Sequence, residues 1–402
     1  MLLLEDCQRL ASPLGPSQHA LTRQPQSRRC SGALPAAAKV QKASTSTLQC
    51  RAQATITAEP STSAKIDWDS LGFGITHHAP VMYEAQYVPG MGWQGNLRPY
   101  GNIEISPAAQ VLNYGQSVFE GMKAQRSAKG RVVLFRPEEN AARLQAGAGR
   151  LLMPEVPAET FALACMAVVA ASRDYVPPMG KGSFYLRPLL LGTGPILGLG
   201  PAPSYTFLVF GAAVGSYFKT GKGSTVDLIV EEHFHRAAPG GMGGTKAAGN
   251  YSPVLLTQSA AKEKGYADVV YLDAKTDTLL EEVSSCNIFL VKGRHLKTPS
   301  LTGTILPGVT RKSIIELARA KGYTVEETDC PVTEAMEADE IFTVGTAVVL
   351  QAVGSLTYKG QRKQYTQGGK PGPVAAELYE DLTAIQQERA PDKFGWVREV
   401  PL

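Results

Sequence analysis

The chain has 402 residues, of which 44% are hydrophobic and 19% are charged, and its formal net charge is +4. This composition is typical of a globular protein with one or two domains. The longest apolar runs, at 161–171 and 206–214, are well short of the roughly 20 residues that a membrane span requires. The sequence therefore predicts no transmembrane segment.

Residues 1–58 differ in charge from the rest of the chain. They contain seven Lys and Arg residues but two acidic residues, so they carry +5 and the remainder carries −1. An acid-poor segment that is rich in Ser, Ala and Gln and contains arginine is typical of an organelle transit peptide, and an unstructured tail is the alternative. Its Ser, Thr and Pro content and the junction at 49–54 favour the chloroplast (plastid stroma), with the mitochondrion as second choice.

Beyond residue 60, the apolar patterns predict two α/β halves. The first half contains predicted strands at 131–135, 183–191 and 205–210 and predicted helices at 137–150 and 158–174. The second half contains predicted strands at 224–231, 268–273, 287–291 and 339–344 and predicted helices at 250–264, 308–322 and 374–389. Gly, Ser and Lys are frequent at 211–223, which is typical of a linker. The predicted organisation is a cleaved transit peptide at 1–58, a small domain at 59–212, a linker at 213–223 and a larger domain at 224–402.

The six cysteines predict neither a disulfide framework nor a zinc site. Half of them lie within the first 58 residues, and the others, Cys165, Cys286 and Cys330, are far apart and form no Cys-x-x-Cys pair. We expect these three to be buried thiols. His233 and His235 share one face of a predicted strand, but they have no third ligand nearby, so no metal site is expected.

A glycine-rich loop at 239–246 is the main chemical signal, with four glycines before Thr245 and Lys246. A nucleotide-binding P-loop requires Gly-Lys-Ser/Thr, so that the lysine opens a helix beneath the phosphates. Here Thr245 precedes the lysine and Ala247 follows it, which excludes that motif. Taken alone, such a lysine is more often solvated than catalytic.

Six motifs in a fixed order change that interpretation. Three lie upstream of the loop, at 114–123, at 134–143 and at 185–188; the others are GTKAAGNY at 244–251, EEVSSCNIF at 281–289 and ILPGVTR at 305–311. From about Trp68 to its end, the chain resembles the branched-chain amino acid aminotransferases of the fold-type IV pyridoxal-phosphate class. The resemblance implies an α/β (α+β two-domain) fold: a small N-terminal α/β domain, a larger domain with a pseudo-barrel sheet, and pyridoxal 5'-phosphate at their interface.

The resemblance also implies a reaction and roles for several residues. The reaction is a reversible transfer of the amino group between L-leucine, L-isoleucine or L-valine and 2-oxoglutarate, which gives branched 2-oxo acids and L-glutamate. Lys246 corresponds to the Schiff-base lysine, which also shuttles the proton. Glu282 corresponds to the carboxylate that stabilises the protonated ring nitrogen, and Tyr251 corresponds to the tyrosine that hydrogen-bonds the ring oxygen.

The cofactor's phosphate needs fixed positive charge and backbone donors. By resemblance, these are supplied by the cofactor-binding residues Arg143, Val309, Thr310 and Thr346. Ser285, from the 281–289 motif, is a further cofactor-binding residue by the same resemblance. Residues 309–310 open a predicted helix, where free amides and the helix dipole favour an anion. We expect the neighbouring Arg311 and Lys312 to be solvated charges.

Substrate selection is assigned to a second group of residues, again by resemblance. Tyr114, Phe119 and Tyr185 match aromatic residues of the side-chain pocket, where each buried methylene stabilises binding by about 0.8 kcal/mol. Arg187 matches the arginine that accommodates glutamate's distal carboxylate. Thr346 and Ala347 match the turn that offers amides to the α-carboxylate. Core packing or a surface ion pair is the alternative for the first four.

Mammalian members of the family carry a Cys-x-x-Cys after this turn, whereas residues 346–351 read TAVVLQ, so no thiol switch is expected.

A D-amino acid aminotransferase or an aminodeoxychorismate lyase of the same fold remains an alternative, as does a non-catalytic pyridoxal-phosphate-binding regulator. The upstream motifs argue against the first two, and the joint presence of Lys246, Glu282, Tyr251 and Arg143 argues against the third. We expect a homodimer with small-molecule substrates, without a nucleic-acid or membrane partner, acting in branched-chain amino acid biosynthesis.

Overall fold

The computed structural model describes residues 66–215, 217, 224–366 and 368–402, so the predicted transit peptide lies outside the described residues. The helices are α1 Gln110–Tyr114, α2 Pro137–Arg150, α3 Ala158–Ala171, α4 Val254–Glu263, α5 Val309–Ala320, α6 Val332–Glu337 and α7 Pro373–Gln386. The first eight strands are β1 His77–His78, β2 Val81–Val88, β3 Gly92–Pro99, β4 Ser117–Phe119, β5 Met122–Arg126, β6 Val132–Phe135, β7 Ser183–Gly192 and β8 Tyr205–Val214. The remaining strands are β9 Val226–Val230, β10 Asp268–Leu272, β11 Leu280–Val283, β12 Asn287–Lys292, β13 His295–Pro299, β14 Thr324–Thr328, β15 Glu340–Gly345, β16 Val349–Tyr358, β17 Gln361–Gln364 and β18 Val397–Glu399.

The first sheet has the strand order β18-β6-β5-β7-β8-β2-β3, with β1 beside β8 and β4 beside β7. Its paired strands run antiparallel. Helices α2 and α3 contact each other, and α3 covers β2 and β8. Leu144 from α2, Phe161 from α3 and Phe207 from β8 are fully buried in the shared core. This core holds β4 and β7, which carry several of the predicted site residues, in place.

Strand β8 is longer than the sequence pattern indicated. The predicted strand ended at 210, where the stretch rich in Gly, Ser and Lys at 211–223 suggested a break. Instead, the pairing with β7 continues through Leu186↔Gly211 to Ser183↔Val214. Small residues fit here because an added Cβ at Gly211 would lie 2.5 Å from the Phe184 ring. The strand thus enters the predicted linker, and the domain boundaries at 212 and 224 stay a prediction.

The second sheet has the order β11-β10-β9-β16-β15-β12-β13-β14, with β17 beside β16. Strand β12 also contacts β11, which closes a ring of six strands. Helices α5 and α7 pack against the outside of this ring through Ile314, Leu378 and Leu382, which are fully buried. The predicted α/β fold with a pseudo-barrel sheet is therefore confirmed.

The end of the chain returns to the first sheet. Strand β18 pairs with β6, with Val397 opposite Phe135. The preceding Trp396 stacks on Phe394 with ring centroids 4.1 Å apart and lies under the Arg136 guanidinium. A short strand with no apolar alternation gives little sequence signal, so this crossing from the barrel to the first sheet was not predicted.

Most predicted helices are confirmed, with small shifts at their ends. Helix α2 has the predicted bounds because Pro137 opens it at the first turn. The helix predicted from residue 250 begins at Val254, after a 3₁₀ turn over Ala248–Asn250, because Pro253 disfavours helical geometry in the residue before it. Cys165, Cys286 and Cys330 are buried, as predicted. Within the described ranges, no helix combines the length and apolar character that crossing a membrane requires.

Candidate active site

A cavity of about 310 Å³, here called the central cavity, lies between the first sheet and the barrel. It is lined by residues of β4 and β7 on one side and by the ends of β11 and β15 and the first turn of α5 on the other. Twelve of the thirteen predicted site residues line it. They come from seven separate segments of the chain, so the fold brings together residues that lie far apart in the sequence.

Lys246 projects into this cavity from the end of the glycine-rich loop. The loop docks on β4 through a hydrogen bond from the Phe119 amide to the Lys246 carbonyl, at 3.1 Å. The Nζ atom donates to the Tyr251 hydroxyl at 3.2 Å and lies 4.6 Å from the Phe119 ring centroid. Burial, together with the nearby Arg143, lowers the pKa of Lys246 to about 8. About a tenth of the amine is therefore neutral and nucleophilic at pH 7, far more than for a lysine with an ordinary pKa.

Close contacts hold the glycine-rich loop and leave no room for a side chain at Gly243. The Asn250 side-chain amide donates to the carbonyls of Met242 and Thr245 at 2.7 and 2.8 Å. The Gly244 amide donates to the Gly303 carbonyl at 2.8 Å. An added Cβ at Gly243 would lie 2.1 Å from the Thr304 carbonyl oxygen. Close packing against residues 303–304 therefore explains why position 243 is a glycine, and it fixes the position of Lys246.

Glu282 lies at the end of β11 and its side chain is 2% exposed. Its Oε1 accepts a hydrogen bond from the Leu306 amide at 3.0 Å, and its Oε2 accepts one from the Asn287 side chain at 3.2 Å. Arg236 forms an ion pair with it, with Nη1 2.7 Å from Oε1. Burial raises the pKa of Glu282 to about 7, although Arg236 opposes that rise. Sequence reasoning missed Arg236, because nothing in its spacing relates it to Glu282.

Arg143 projects from α2 toward the first turn of α5. Its Nε and Nη2 donate to the two carboxylate oxygens of Glu120, each at 2.7 Å, and its Nη1 donates to the Pro307 carbonyl at 3.0 Å. Glu120 is completely buried. Val309 and Thr310 begin α5 beside this guanidinium, so free amides and a fixed positive charge converge at one end of the cavity. Glu120 lies inside a recognised motif, yet its partnership with Arg143 was also missed.

Arg187 lies on β7 at the aromatic wall of the cavity. Its guanidinium carbon is 5.0 Å from the Phe119 ring centroid and 5.6 Å from that of Tyr185. Its buried Nε has no hydrogen-bond partner among the described residues. A buried donor without a partner is unfavourable unless a ligand satisfies it. This end of the cavity is therefore suited to an acidic group.

The turn between β15 and β16 carries Thr346 and Ala347. The Lys123 Nζ, from β5, donates to the Ala347 carbonyl at 2.7 Å and ties this turn to the first sheet. Val349 has a φ of 63°, which is rare for a β-branched residue and marks a strained turn. Ser285 lines the cavity close to this turn.

Two aromatic residues of the wall were not predicted. Phe73 and Tyr217 line the cavity, and the Phe73 ring packs edge-on against Tyr185 at 5.1 Å and against Tyr217 at 5.0 Å. Phe73 precedes the first strand, and Tyr217 follows the last residue of β8 closely. Neither lies in a periodic segment or in one of the six motifs, so the sequence offered no signal for them.

Two expectations differ from the structure. Tyr114 does not line the central cavity: it ends α1, is 50% exposed and donates its hydroxyl to the Leu197 carbonyl at 3.1 Å. The left-handed Gly115, with a φ of 67°, turns the chain away at that point.

The prediction of a solvated Arg311 is wrong. It is 3% exposed because α5 packs this face inward, where Arg311 pairs with Glu327 at 3.0 Å.

The comparison with protein families shows which family this chain belongs to. The chain matches the family described as Amino-transferase class IV over residues 117–356, a range that contains all thirteen predicted residues except Tyr114. The chain therefore belongs to the class IV aminotransferases.

Its relatives narrow the class further. It is 52% identical to branched-chain-amino-acid aminotransferase 5, chloroplastic, of Arabidopsis thaliana, over 87% of this chain and 83% of that one. It is 52% identical to branched-chain amino acid aminotransferase 2, chloroplastic, of Humulus lupulus, over 84% and 82%. A mitochondrial relative from Humulus lupulus, branched-chain amino acid aminotransferase 1, is 47% identical over 87% and 88%.

Solved structures of similar proteins have the same fold. A branched-chain amino acid aminotransferase from Escherichia coli has a TM-score of 0.66 and 29% identity, covering 81% of this chain and 100% of that chain. The T.th. branched-chain amino acid aminotransferase with pyridoxamine 5'-phosphate has a TM-score of 0.69 and 26% identity, with coverages of 80% and 99%. The same enzyme complexed with N-(5'-phosphopyridoxyl)-L-glutamate has a TM-score of 0.67 and 27% identity, with coverages of 80% and 99%.

Proposed function

We propose that this protein is a branched-chain amino acid transaminase that uses pyridoxal 5'-phosphate. It transfers the amino group reversibly between L-leucine, L-isoleucine or L-valine and 2-oxoglutarate. The observation that carries the proposal is the convergence of Lys246, Glu282 and Arg143 in one cavity that also has an aromatic wall. Formation of 4-methyl-2-oxopentanoate from leucine, dependent on 2-oxoglutarate, tests it; no product with any of the three amino acids would refute it.

The residues present fit this cofactor at each of its reactive positions. When bound, the cofactor supplies an aldehyde that takes up the amino group and a protonated ring that stabilises negative charge on the substrate's Cα. The partly neutral Lys246 amine is suited to bind the aldehyde carbon and then to move a proton from Cα. Glu282 is suited to the ring nitrogen, and Tyr251 is suited to hydrogen-bond the ring oxygen.

The phosphate end fits equally well. Arg143 keeps hydrogen-bond donors beyond those used by Glu120 and Pro307, because a guanidinium has five. The amides of Val309 and Thr310 and the hydroxyl of Thr346 add neutral donors, and the α5 dipole favours an anion there. Ser285 lines the same cavity and would add a further hydroxyl donor.

The aromatic wall and the β15–β16 turn support an α-amino acid with an apolar side chain as substrate. Phe73, Phe119 and Tyr185 offer an apolar surface that excludes water from a branched side chain. The Thr346–Ala347 turn is suited to bind the α-carboxylate. The unpartnered Nε of Arg187 is suited to the distal carboxylate of glutamate, so the same cavity serves both amino donors.

The Arg187→Met variant is expected to separate these two substrates. Because a hydrogen bond to a charged group contributes about 1.5–3 kcal/mol, the KM for 2-oxoglutarate should rise about 10–100-fold. The half-reaction with leucine should change little, since leucine has no distal carboxylate. Stopped-flow absorbance of each half-reaction measures both effects.

The control for that variant is Arg126→Met on the neighbouring strand β5, where the side chain donates to the Val176 carbonyl at 3.2 Å. It should leave both half-reactions unchanged. Equal losses in the leucine and 2-oxoglutarate half-reactions of Arg187→Met would contradict the assignment.

We also propose a homodimer in which one subunit helps to complete the other's site. Exposed apolar side chains cluster around α1 and the β7–β8 connection, where Leu197 is 87% and Leu199 is 85% exposed. Tyr114 belongs to the same patch through its hydrogen bond to the Leu197 carbonyl. An exposed apolar patch of this kind is typical of a protein interface. A second copy would cover it and bring Tyr114 to the partner's cavity.

The double variant Leu197→Asp/Leu199→Asp is expected to sediment as a monomer, because it places two charges in the middle of the contact. Sedimentation velocity of the variant and the wild type measures this. Leu255→Asp, at an exposed position on α4, is the matched control and should remain dimeric. If the wild type itself sediments as a monomer, the proposed homodimer is refuted.

Import into the chloroplast is proposed from residues 1–58 and from the chloroplastic names of the first relatives. There the enzyme would act in biosynthesis, because the 2-oxo acid precursors of leucine, isoleucine and valine are made in plastids. A fluorescent protein fused behind residues 1–58 should accumulate in plastids of plant cells. Accumulation in mitochondria or in the cytosol would contradict this location.

A further inference from the structure

We propose that Arg236 is a positioning residue that keeps Glu282 ionised and leaves one of its oxygens available to a protonated ring nitrogen. This inference rests on the proposed use of pyridoxal phosphate. Arg236 lies in the segment between β9 and the glycine-rich loop and does not line the central cavity, whereas Glu282 does. Its side chain is 1% exposed. It therefore acts from behind the carboxylate rather than on a ligand.

The hydrogen bonds of Glu282 show how its carboxylate is oriented. Oε1 is contacted by two donors, the Leu306 amide and Arg236 Nη1. Oε2 is contacted by one donor from the described residues, the Asn287 side chain. An ionised carboxylate accepts about four hydrogen bonds, so one position remains, and it belongs to Oε2.

Asn287 is itself fixed, which makes this orientation rigid. Its side-chain amide also donates to the Leu306 carbonyl at 2.9 Å. Its Oδ1 fills the space beside Gly308, where an added Cβ would lie 2.1 Å from that oxygen. Glu282 is thus held by three donors from three separate segments, and it has little freedom to rotate.

The charge of Arg236 matters because the site is dry. Transfer of a carboxylate out of water favours its neutral form, and a nearby cation opposes that effect. Even with Arg236 in place, burial raises the pKa of Glu282 to about 7. Without the guanidinium, Glu282 would be neutral at physiological pH. A neutral carboxyl group does not stabilise a positive charge on the ring nitrogen.

Arg236 also contacts the second residue that is assigned to the ring. Its guanidinium carbon lies 5.9 Å from the Tyr251 ring centroid, and its Nη1 lies 3.4 Å from the Thr304 carbonyl oxygen. The planar guanidinium therefore packs behind both Glu282 and Tyr251. A lysine would keep the charge but not this planar contact.

The test uses the loaded enzyme with a ¹⁵N-labelled ring nitrogen, whose NMR shift distinguishes the protonated from the unprotonated state. The variants are Arg236→Met and Arg236→Lys. Arg136→Met is the matched control, since Arg136 is also buried and paired with glutamates but lies outside the cavity. The dissociation constant of the cofactor is measured in parallel.

The wild type and Arg136→Met should show a protonated ring nitrogen, Arg236→Met an unprotonated one, and Arg236→Lys a partial return. The dissociation constant should rise on the order of 10–100-fold in Arg236→Met, as is common for outer partners of ligand-binding side chains. A protonated ring nitrogen in Arg236→Met would overturn the inference alone. A wild type that takes up no cofactor would overturn the proposed function as well.

A second comparison covers the case in which Arg236→Met does not fold. If Arg236 acts through Glu282, the double variant Glu282→Gln/Arg236→Met should bind the cofactor no more weakly than Glu282→Gln. The double variant also avoids leaving a lone buried charge. A further loss of tenfold or about that size in the double variant would show that Arg236 acts independently and would overturn the inference.

Discussion

Replacing Lys246 with alanine is expected to lower the turnover of leucine with 2-oxoglutarate by more than about 1,000-fold, because both covalent attachment and proton transfer are lost. Lys246 is the one lysine among the described residues that line the central cavity, so no neighbouring amine can replace it. Product formation by the purified variant, compared with the wild type, measures the loss.

Lys275→Ala is the control for this variant, because Lys275 is an exposed lysine in the same half of the chain. It should keep the activity of the wild type. If Lys246→Ala retained a tenth or so of the wild-type turnover, another group would have to supply the nucleophile and the proton shuttle.

Replacing Arg143 with methionine is expected to weaken cofactor binding by about 100-fold and also to destabilise the protein. The reason for the second effect is Glu120, which is completely buried and would lose its bidentate partner. Breaking a buried ion pair typically costs about 3–5 kcal/mol of the free energy of unfolding. Denaturant unfolding of the cofactor-free protein measures this loss, and titration with the cofactor measures the affinity.

The double variant Arg143→Met/Glu120→Gln distinguishes the two effects. It should recover most of the lost stability, because the unpaired charge is gone, but not the affinity for the cofactor. Recovery of both would show that Arg143 has only a structural role. Cofactor affinity equal to the wild type in Arg143→Met would exclude it as a phosphate ligand.

The sequence predicted elements well where local chemistry and burial agree. Helix α2 has a proline at its first turn and a regular apolar stripe, and its bounds are those predicted. Strand β3 was not predicted, because its two glycines, its proline and its polar residues give no strand pattern. Its pairing with β2 explains the composition, since an added Cβ at Gly95 would lie 2.4 Å from the Cβ of Ala85. Only the tertiary pairing reveals such a strand.

The site shows the same contrast between residues with a local sequence signal and residues whose role depends on tertiary contacts. Residues within contiguous motifs, such as Lys246 and Tyr251, could be found because their neighbours carry the signal. Arg236 and Phe73 could not, since their importance comes from partners 46 and 112 positions away, at Glu282 and Tyr185. Tyr114 illustrates a different difficulty. Its motif assigned it to the site, but in this chain it lies outside the central cavity, and only the proposed homodimer would bring it to a site.

The most direct test of the proposed transaminase is the visible absorption of the purified holoprotein during addition of single amino acids. L-Leucine, L-isoleucine and L-valine should each bleach the cofactor's visible band, and 2-oxoglutarate should restore it, while D-alanine should have no effect. A band that responds to D-alanine but not to L-leucine would contradict the substrate assignment; the absence of any cofactor band would contradict the assignment of the central cavity itself.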